Sequence, residues 1–163
     1  MTTKTFEYWA LRYNQRENQD APTFCVFHAP ASQILAWAAI NRLNRDDPTA
    51  IQRDPKKSRI SGIKRFFLTE ARNTVPTAVV LTLDDCKIQE ATSVSIDAQS
   101  YPMTDLVRLA VTVTEGASEA DKPGLVIDGQ HRLKGISEYS NNTHVNVVVL
   151  LNTDADEKAF QFL

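Results

Sequence analysis

Gly124-Leu125-Val126-Ile127-Asp128-Gly129-Gln130-His131-Arg132-Leu133-Lys134-Gly135-Ile136 is the stretch on which the fold turns. Leu125-Val126-Ile127 is a short β-branched, apolar run and predicts a buried strand. Leu133 and Ile136 then stand at i and i+3, the spacing of a helix facing a core, and a helix is expected over residues 130–139. Between strand and helix lie Asp128, Gly129, Gln130, His131 and Arg132. A strand that ends at a polar turn and opens directly into a helix leaves free backbone N–H groups and the positive end of the helix dipole at one point. That is the elementary form of an anion site. Gly129 removes a side chain where a ligand would approach and permits a left-handed turn. His131 and Arg132 add one donor that titrates near neutral pH and one fixed cation with fork geometry. Asp128 can cap the helix, hold a metal ion beside a phosphate, or act as a base. A simple turn and N-cap, with His131 and Arg132 as ordinary surface residues, accounts for the same letters with less chemistry.

Outward from this segment, strands and helices alternate. Phe24-Cys25-Val26-Phe27-His28 predicts a strand. Pro30 follows at the first helical position, and Ile34, Leu35, Trp37, Ala38 and Ile40 continue a helix up to Asn44 and Asp46-Asp47-Pro48. Asp54 as N-cap and Pro55 as first residue open a second helix, with Ile60, Ile63 and Phe67 on its core stripe. Ala78 to Leu83 and Leu109 to Val113 predict strands, whereas Ala91 to Met103 shows no period. Glu115 to Gly124 predicts an exposed hairpin connection. Val145 to Leu151 is apolar enough for a central strand. A last helix is expected beyond Thr153 and Asp154, carrying Phe160 and Leu163. Its pattern is still helical at Leu163, so the sequence predicts a single domain over residues 1–163 that forms the N-terminal part of a longer protein. Strands alternating with helices place the chain in the α/β or α+β class.

The chain has 163 residues, 42% hydrophobic and 23% charged, which suits one packed domain and excludes a disordered or fibrous chain. Its longest apolar runs are too short for a membrane helix, and the N-terminus has no signal-peptide pattern. Two cysteines, Cys25 and Cys86, lie far apart without metal-ligand spacing. They predict reduced, inert thiols and a cytoplasmic protein. His28, His131 and His144 are isolated from one another in sequence and predict no metal centre. The net charge of −2 hides an asymmetry: Arg42, Arg45, Arg53, Lys56, Lys57, Arg59, Lys64, Arg65 and Arg72 cluster between Asn41 and Arg72. Such a run is either a phosphate-binding face or a solvated helix surface. No Walker loop, Gly-x-Ser-x-Gly elbow or Gly-x-Gly-x-x-Gly turn is present.

Asp128-Gly129-Gln130-His131-Arg132 spells the pentapeptide of the DGQHR-domain proteins, and the chain resembles that family. Gln52-Arg53 followed by Arg59-Ile60 and Ile63 is similar to the family's Gln-Arg segment that leads into a basic helix. The acidic loop between Glu115 and Asp121 departs from the pattern as an insertion that either covers the turn or is a plain exposed hairpin. The resemblance implies a ParB/sulfiredoxin-like fold, a mixed sheet flanked by helices. It also implies a DndB-like role in bacterial DNA modification and defence, linked to DNA phosphorothioation. Carried onto this chain, it makes Asp128, Gln130, His131 and Arg132 the catalytic set. Gly129, Arg53, Arg59 and Lys64 become phosphate or nucleic-acid contacts, with Asp128 as the metal residue. ATP and Mg²⁺ are the implied cofactors and DNA the implied partner, with a nucleotide and a homo-oligomer also compatible and no membrane.

Two functions of different class follow. In the first the protein is an enzyme, an ATPase or DNA nickase, in which Arg132 neutralises developing charge, Asp128 holds Mg²⁺ or orients water, and His131 shuttles a proton. In the second it is a non-catalytic DNA-binding regulator of DNA-modification genes. There the basic run grips the backbone and the pentapeptide binds one phosphate. A protein-interaction domain that only keeps the fold is the third alternative.

Overall fold

A computed structural model of the chain describes residues 2–15, 22–40, 55–84, 86–96 and 99–151. The predicted N-cap Asp54, the Gln52-Arg53 pair, the loop at 41–48 and the helix beyond Thr153 lie outside the described residues. The elements run β1 (Thr3–Asn14), β2 (Thr23–Pro30), α1 (Ala31–Trp37), β3 (Ala38–Ala39), α2 (Lys57–Thr69) and β4 (Val79–Leu83). They continue with β5 (Lys87–Ile96), β6 (Gln99–Thr114), a 3-10 turn at Glu119–Asp121, β7 (Gly124–Asp128), α3 (Gln130–Tyr139) and β8 (His144–Leu151). All eight strands join one mixed sheet in the order β3-β7-β4-β8-β2-β1-β6-β5. The expected mixed α and β class is what the chain adopts.

Alternation places the core. Phe6, Tyr8 and Ala10 of β1, Cys25, Phe27 and Ala29 of β2, Val107, Leu109, Val111 and Val113 of β6, and Val145, Val147 and Val149 of β8 are all buried on one face. β8 lies between β4 and β2, which is why Val145 to Leu151 is nearly continuously apolar. Helix α1 lies on the buried face. Its Trp37 is fully buried and donates its indole N–H to the Tyr8 hydroxyl at 3.0 Å, while Tyr8 stacks on Phe27 at 4.7 Å. Burial pushes the Tyr8 hydroxyl up to about 12, against the lowering effect of the Trp37 bond.

Helix α1 is shorter than its spacing predicts. It ends at Trp37, and Ala38–Ala39 turn extended to pair in parallel with Gly124 and Leu125 of β7. Tertiary pairing overrides the local period here, and the Ile40 N–H is taken by the Glu119 carboxylate at 3.0 Å. Helix α2 begins at Lys57 and not at Pro55, because Lys56 is extended (φ −70°, ψ 119°) and stands as the N-cap.

Glu115 to Gly124 is not a hairpin connection. β6 pairs with β1 and β5, and β7 with β3 and β4, so this loop carries the chain across to the opposite side of the sheet. Lys122 donates to the Leu35 carbonyl at 2.7 Å and pairs with Glu119 at 2.5 Å, which fastens the loop to α1 and to the β3 edge. Burial opposes the charge on Glu119, but Lys122, the Ile40 N–H and Lys134 outweigh it and hold the carboxyl below its usual value. No described helix is long and apolar enough to cross a membrane. Cys25 is buried and Cys86 half-buried, and desolvation pushes the Cys25 thiol up to about 12, with Cys86 raising it further and Arg12 opposing.

Candidate functional site

β7 ends at Asp128, and α3 begins two residues later. The single residue between them, Gly129, sits at φ +91° and ψ 14° in the left-handed region, where an L side chain is strained. A Cβ there would also stand 2.8 Å from Val79 Cγ1 and 2.9 Å from an Arg132 guanidinium nitrogen. The helix behind it follows from Leu133 and Ile136, both buried against the sheet, and closes with the Ser140 N–H on the Ile136 carbonyl. Asp128 does not cap α3. Its Oδ2 accepts from Arg132 Nη2 at 3.0 Å, one helical turn on, and the other arm of the guanidinium donates to the Thr77 hydroxyl. Asp128 is 74% exposed and Arg132 only 22%, so the carboxylate faces solvent while the arginine is held as a fixed plane beside the helix start.

Helix α2 packs along α3 through Gly135, whose missing side chain lets Ile63 and the Ile60 carbonyl come close. Phe67 stacks on Tyr139 at 5.2 Å and continues the contact. This packing brings the start of the basic helix to the pentapeptide. The Lys56 N–H donates to His131 Nε2 at 3.0 Å, while the Lys56 carbonyl accepts from Arg59 and Ile60 as the first turn of α2. Lys56 thus links the first turn of α2 directly to α3. Because Nε2 accepts, the ring in this state is neutral and carries its proton on Nδ1.

Partial burial, then the cations Arg59, Lys56 and Lys134, hold His131 below the usual imidazole range. The unfolded chain takes up this proton near pH 6.5, whereas the folded chain resists it until lower pH. Between the two values the unfolded state binds more protons, so stability rises with pH. The contribution is complete above about pH 6.5 and is lost as pH falls through the folded value. Urea midpoints measured from pH 7.5 down to 5 should therefore fall, and fall less in His131→Gln, whose amide oxygen can still accept from Lys56. Equal pH slopes in the two proteins would remove His131 as the origin.

The structure brings together five of the expected residues, Asp128, Gly129, His131, Arg132 and Arg59, and half-buries Gln130 in the same helical turn. Arg53 lies outside the described residues. Lys64 is half-buried on α2, five residues past Arg59 and so about 140° around the helix from it. Lys56, Thr77 and Lys134 join the site without having been singled out. Lys56 had a signal, as the basic residue just ahead of the helix, whereas Thr77 had none, since only the pairing of β4 with β7 places it. A cavity of about 320 Å³ lined by Arg12, Asp105, Thr23 and Leu151 lies at the far end of the strands and is separate from this site.

No family model, curated protein or solved structure matches the chain. The chemistry of the site therefore rests on its own geometry. Among the described residues there is no cluster of three or more His, Cys, Asp or Glu side chains that could hold a metal ion. Asp128 would give Mg²⁺ a single carboxylate, whose Oδ2 already accepts from Arg132, so the ion would have to arrive with a phosphate ligand supplying most of its oxygens. Expecting three isolated histidines is wrong for two of them: β2 and β8 pair, and His28 Nδ1 meets His144 Nδ1 at 2.7 Å.

Proposed function

We propose that the chain is a DGQHR-domain protein of the DndB-like kind, with a ParB/sulfiredoxin-like fold. In this reading it binds DNA phosphates without turning them over, as a regulator in a bacterial DNA-modification or defence system. The observation that carries this reading is the engagement of His131 Nε2 with the Lys56 N–H. A ring that holds the basic helix in place is a positioning group and not a free proton shuttle. Asp128, the other expected acid-base group, is likewise paired with Arg132. What remains for a ligand is the start of α3 with Arg132 beside it, and the cations of Lys56, Arg59 and Lys134 around His131. Such a surface suits a phosphodiester backbone, bound through helix N–H groups and distributed positive charge.

Fluorescence anisotropy with a short duplex, between 50 and 200 mM salt, tests this. Binding should weaken steeply with salt, and Arg59→Ala should lower the slope of log K against log salt by about 1. Asp128→Ala should leave affinity within about threefold, since it removes a negative charge and no phosphate contact. Mg²⁺-dependent phosphate release from ATP, or DNA nicking, that disappears in Asp128→Ala would move the assignment to the enzyme. Salt-independent binding would remove the nucleic-acid reading altogether.

A further inference from the structure

We infer that His28 and His144 form a two-imidazole site for a transition-metal ion of the Zn²⁺ or Cu²⁺ class, on the face of the sheet opposite the core. The strand register requires the pairing. His28 lies across from Asn146 and Pro30 across from His144, so the two histidines are diagonal neighbours on one face of adjacent antiparallel strands. Both are exposed, with ring centroids 4.9 Å apart and Nδ1 to Nδ1 at 2.7 Å. As a hydrogen bond, that contact requires opposite tautomers, one Nδ1 donating and the other accepting. A metal ion would replace the shared proton and lie off the line between the two nitrogens. With metal–nitrogen bonds near 2.0–2.1 Å, two cis imidazole nitrogens on one ion lie about 2.9–3.4 Å apart, so the rings need to open by only a few tenths of an ångström.

The backbone beneath the pair is already fixed. β2 and β8 pair without interruption from Thr23 and Leu151 to Pro30 and His144. The turn ahead of His144 is fastened by Ala31 N–H on the Thr143 carbonyl at 3.0 Å and by the Ser32 hydroxyl on the Asn141 carbonyl at 2.8 Å. Preorganised ligands give up little freedom when the ion binds. No third His, Cys, Asp or Glu joins the pair among the described residues, so water or a group of a bound partner fills the remaining positions. Imidazole donors suit Cu²⁺, Ni²⁺ and Zn²⁺ and discriminate against Mg²⁺ and Ca²⁺, and Cu²⁺ should bind more tightly than Zn²⁺. The site is independent of the phosphate reading, because neither histidine belongs to the pentapeptide.

Calorimetric titration of the full chain, free of any histidine tag, with Zn²⁺ alone and then Cu²⁺ alone tests the assignment. One ion per chain should bind, and the Cu²⁺ form should show nitrogen hyperfine structure in its electron paramagnetic resonance spectrum. The second imidazole acts as an intramolecular ligand, so His28→Ala or His144→Ala should each weaken binding about 100-fold. Both residues are exposed, and the metal-free melting temperature of either variant should stay within about 2 °C of the parent. His28→Gln and His144→Gln should show the same loss should an alanine variant fold poorly. Cys86→Ser should bind as the parent does. Absence of binding to the folded parent, or binding that survives both histidine substitutions, overturns the site.

Discussion

Trp37→Ala should cost about 3–5 kcal/mol, the largest single loss expected among the described residues. Trp37 is fully buried at the end of α1, where it meets three elements at once. Its indole donates to Tyr8 of β1, its ring lies against the bare Cα of Gly124 at the start of β7, and the residue after it begins β3. Truncation leaves a cavity under the sheet and deprives the Tyr8 hydroxyl of its donor. Domains of this size are stable by about 5–15 kcal/mol, so the variant should keep only a small margin or none. Trp37→Phe fills most of the volume but removes the hydrogen bond, and should cost about 1–3 kcal/mol. Urea denaturation checks both, as a lowered midpoint with an unchanged slope. A Trp37→Ala midpoint close to the parent's would mean that α1 is not what seals this face.

The same residue shows what was legible. Trp37 as a core residue could be read from spacing, but the end of the helix there could not. Ala38 and Ile40 extend the helical period, and only the β7 edge, far away in sequence, makes a strand of Ala38–Ala39. β7 and α3 were readable because each obeys its own period and Gly129 marks the join. β1 escaped notice although Phe6, Tyr8 and Ala10 alternate with exposed residues, since polar Thr3 and Lys4 and exposed Trp9 and Leu11 blur its two faces. β5 was unreadable for a physical reason. It is an edge strand with register shifts after Gln89 and Ser93, and each shift breaks the two-residue period by which a strand is recognised. The site divides similarly. The pentapeptide was visible as adjacent letters, whereas the Lys56–His131 bond and the His28–His144 contact depend on helix and strand pairing and leave no mark in sequence.

Gly135→Val should detach the basic helix from the pentapeptide and weaken phosphate binding without touching any group that would meet a ligand. A Cβ at Gly135 would lie 2.7 Å from Ile63 Cβ, 2.8 Å from its Cγ2 and 2.9 Å from the Ile60 carbonyl oxygen. The last of these is backbone and cannot rotate away, so α2 as a whole must shift. On helix propensity alone, replacing glycine by alanine would stabilise α3 by about 1 kcal/mol. Overpacking costs about 1–3 kcal/mol, and more for valine than for alanine, so the net effect should be destabilising despite the better helix former. Moving α2 also lengthens the Lys56 to His131 hydrogen bond and carries Arg59 away from the start of α3. Duplex affinity in low salt should therefore fall in Gly135→Val with a reduced salt slope, resembling Arg59→Ala more than a general loss of folded protein. Ile63→Ala should recover part of the stability in the double variant, because it removes the Cγ2 clash and leaves those with the residue-63 Cβ and the Ile60 carbonyl. Should Gly135→Val melt and bind as the parent does, the α2–α3 contact would not be what holds these cations at the turn, and Arg59 would have to be assigned to the solvated helix surface.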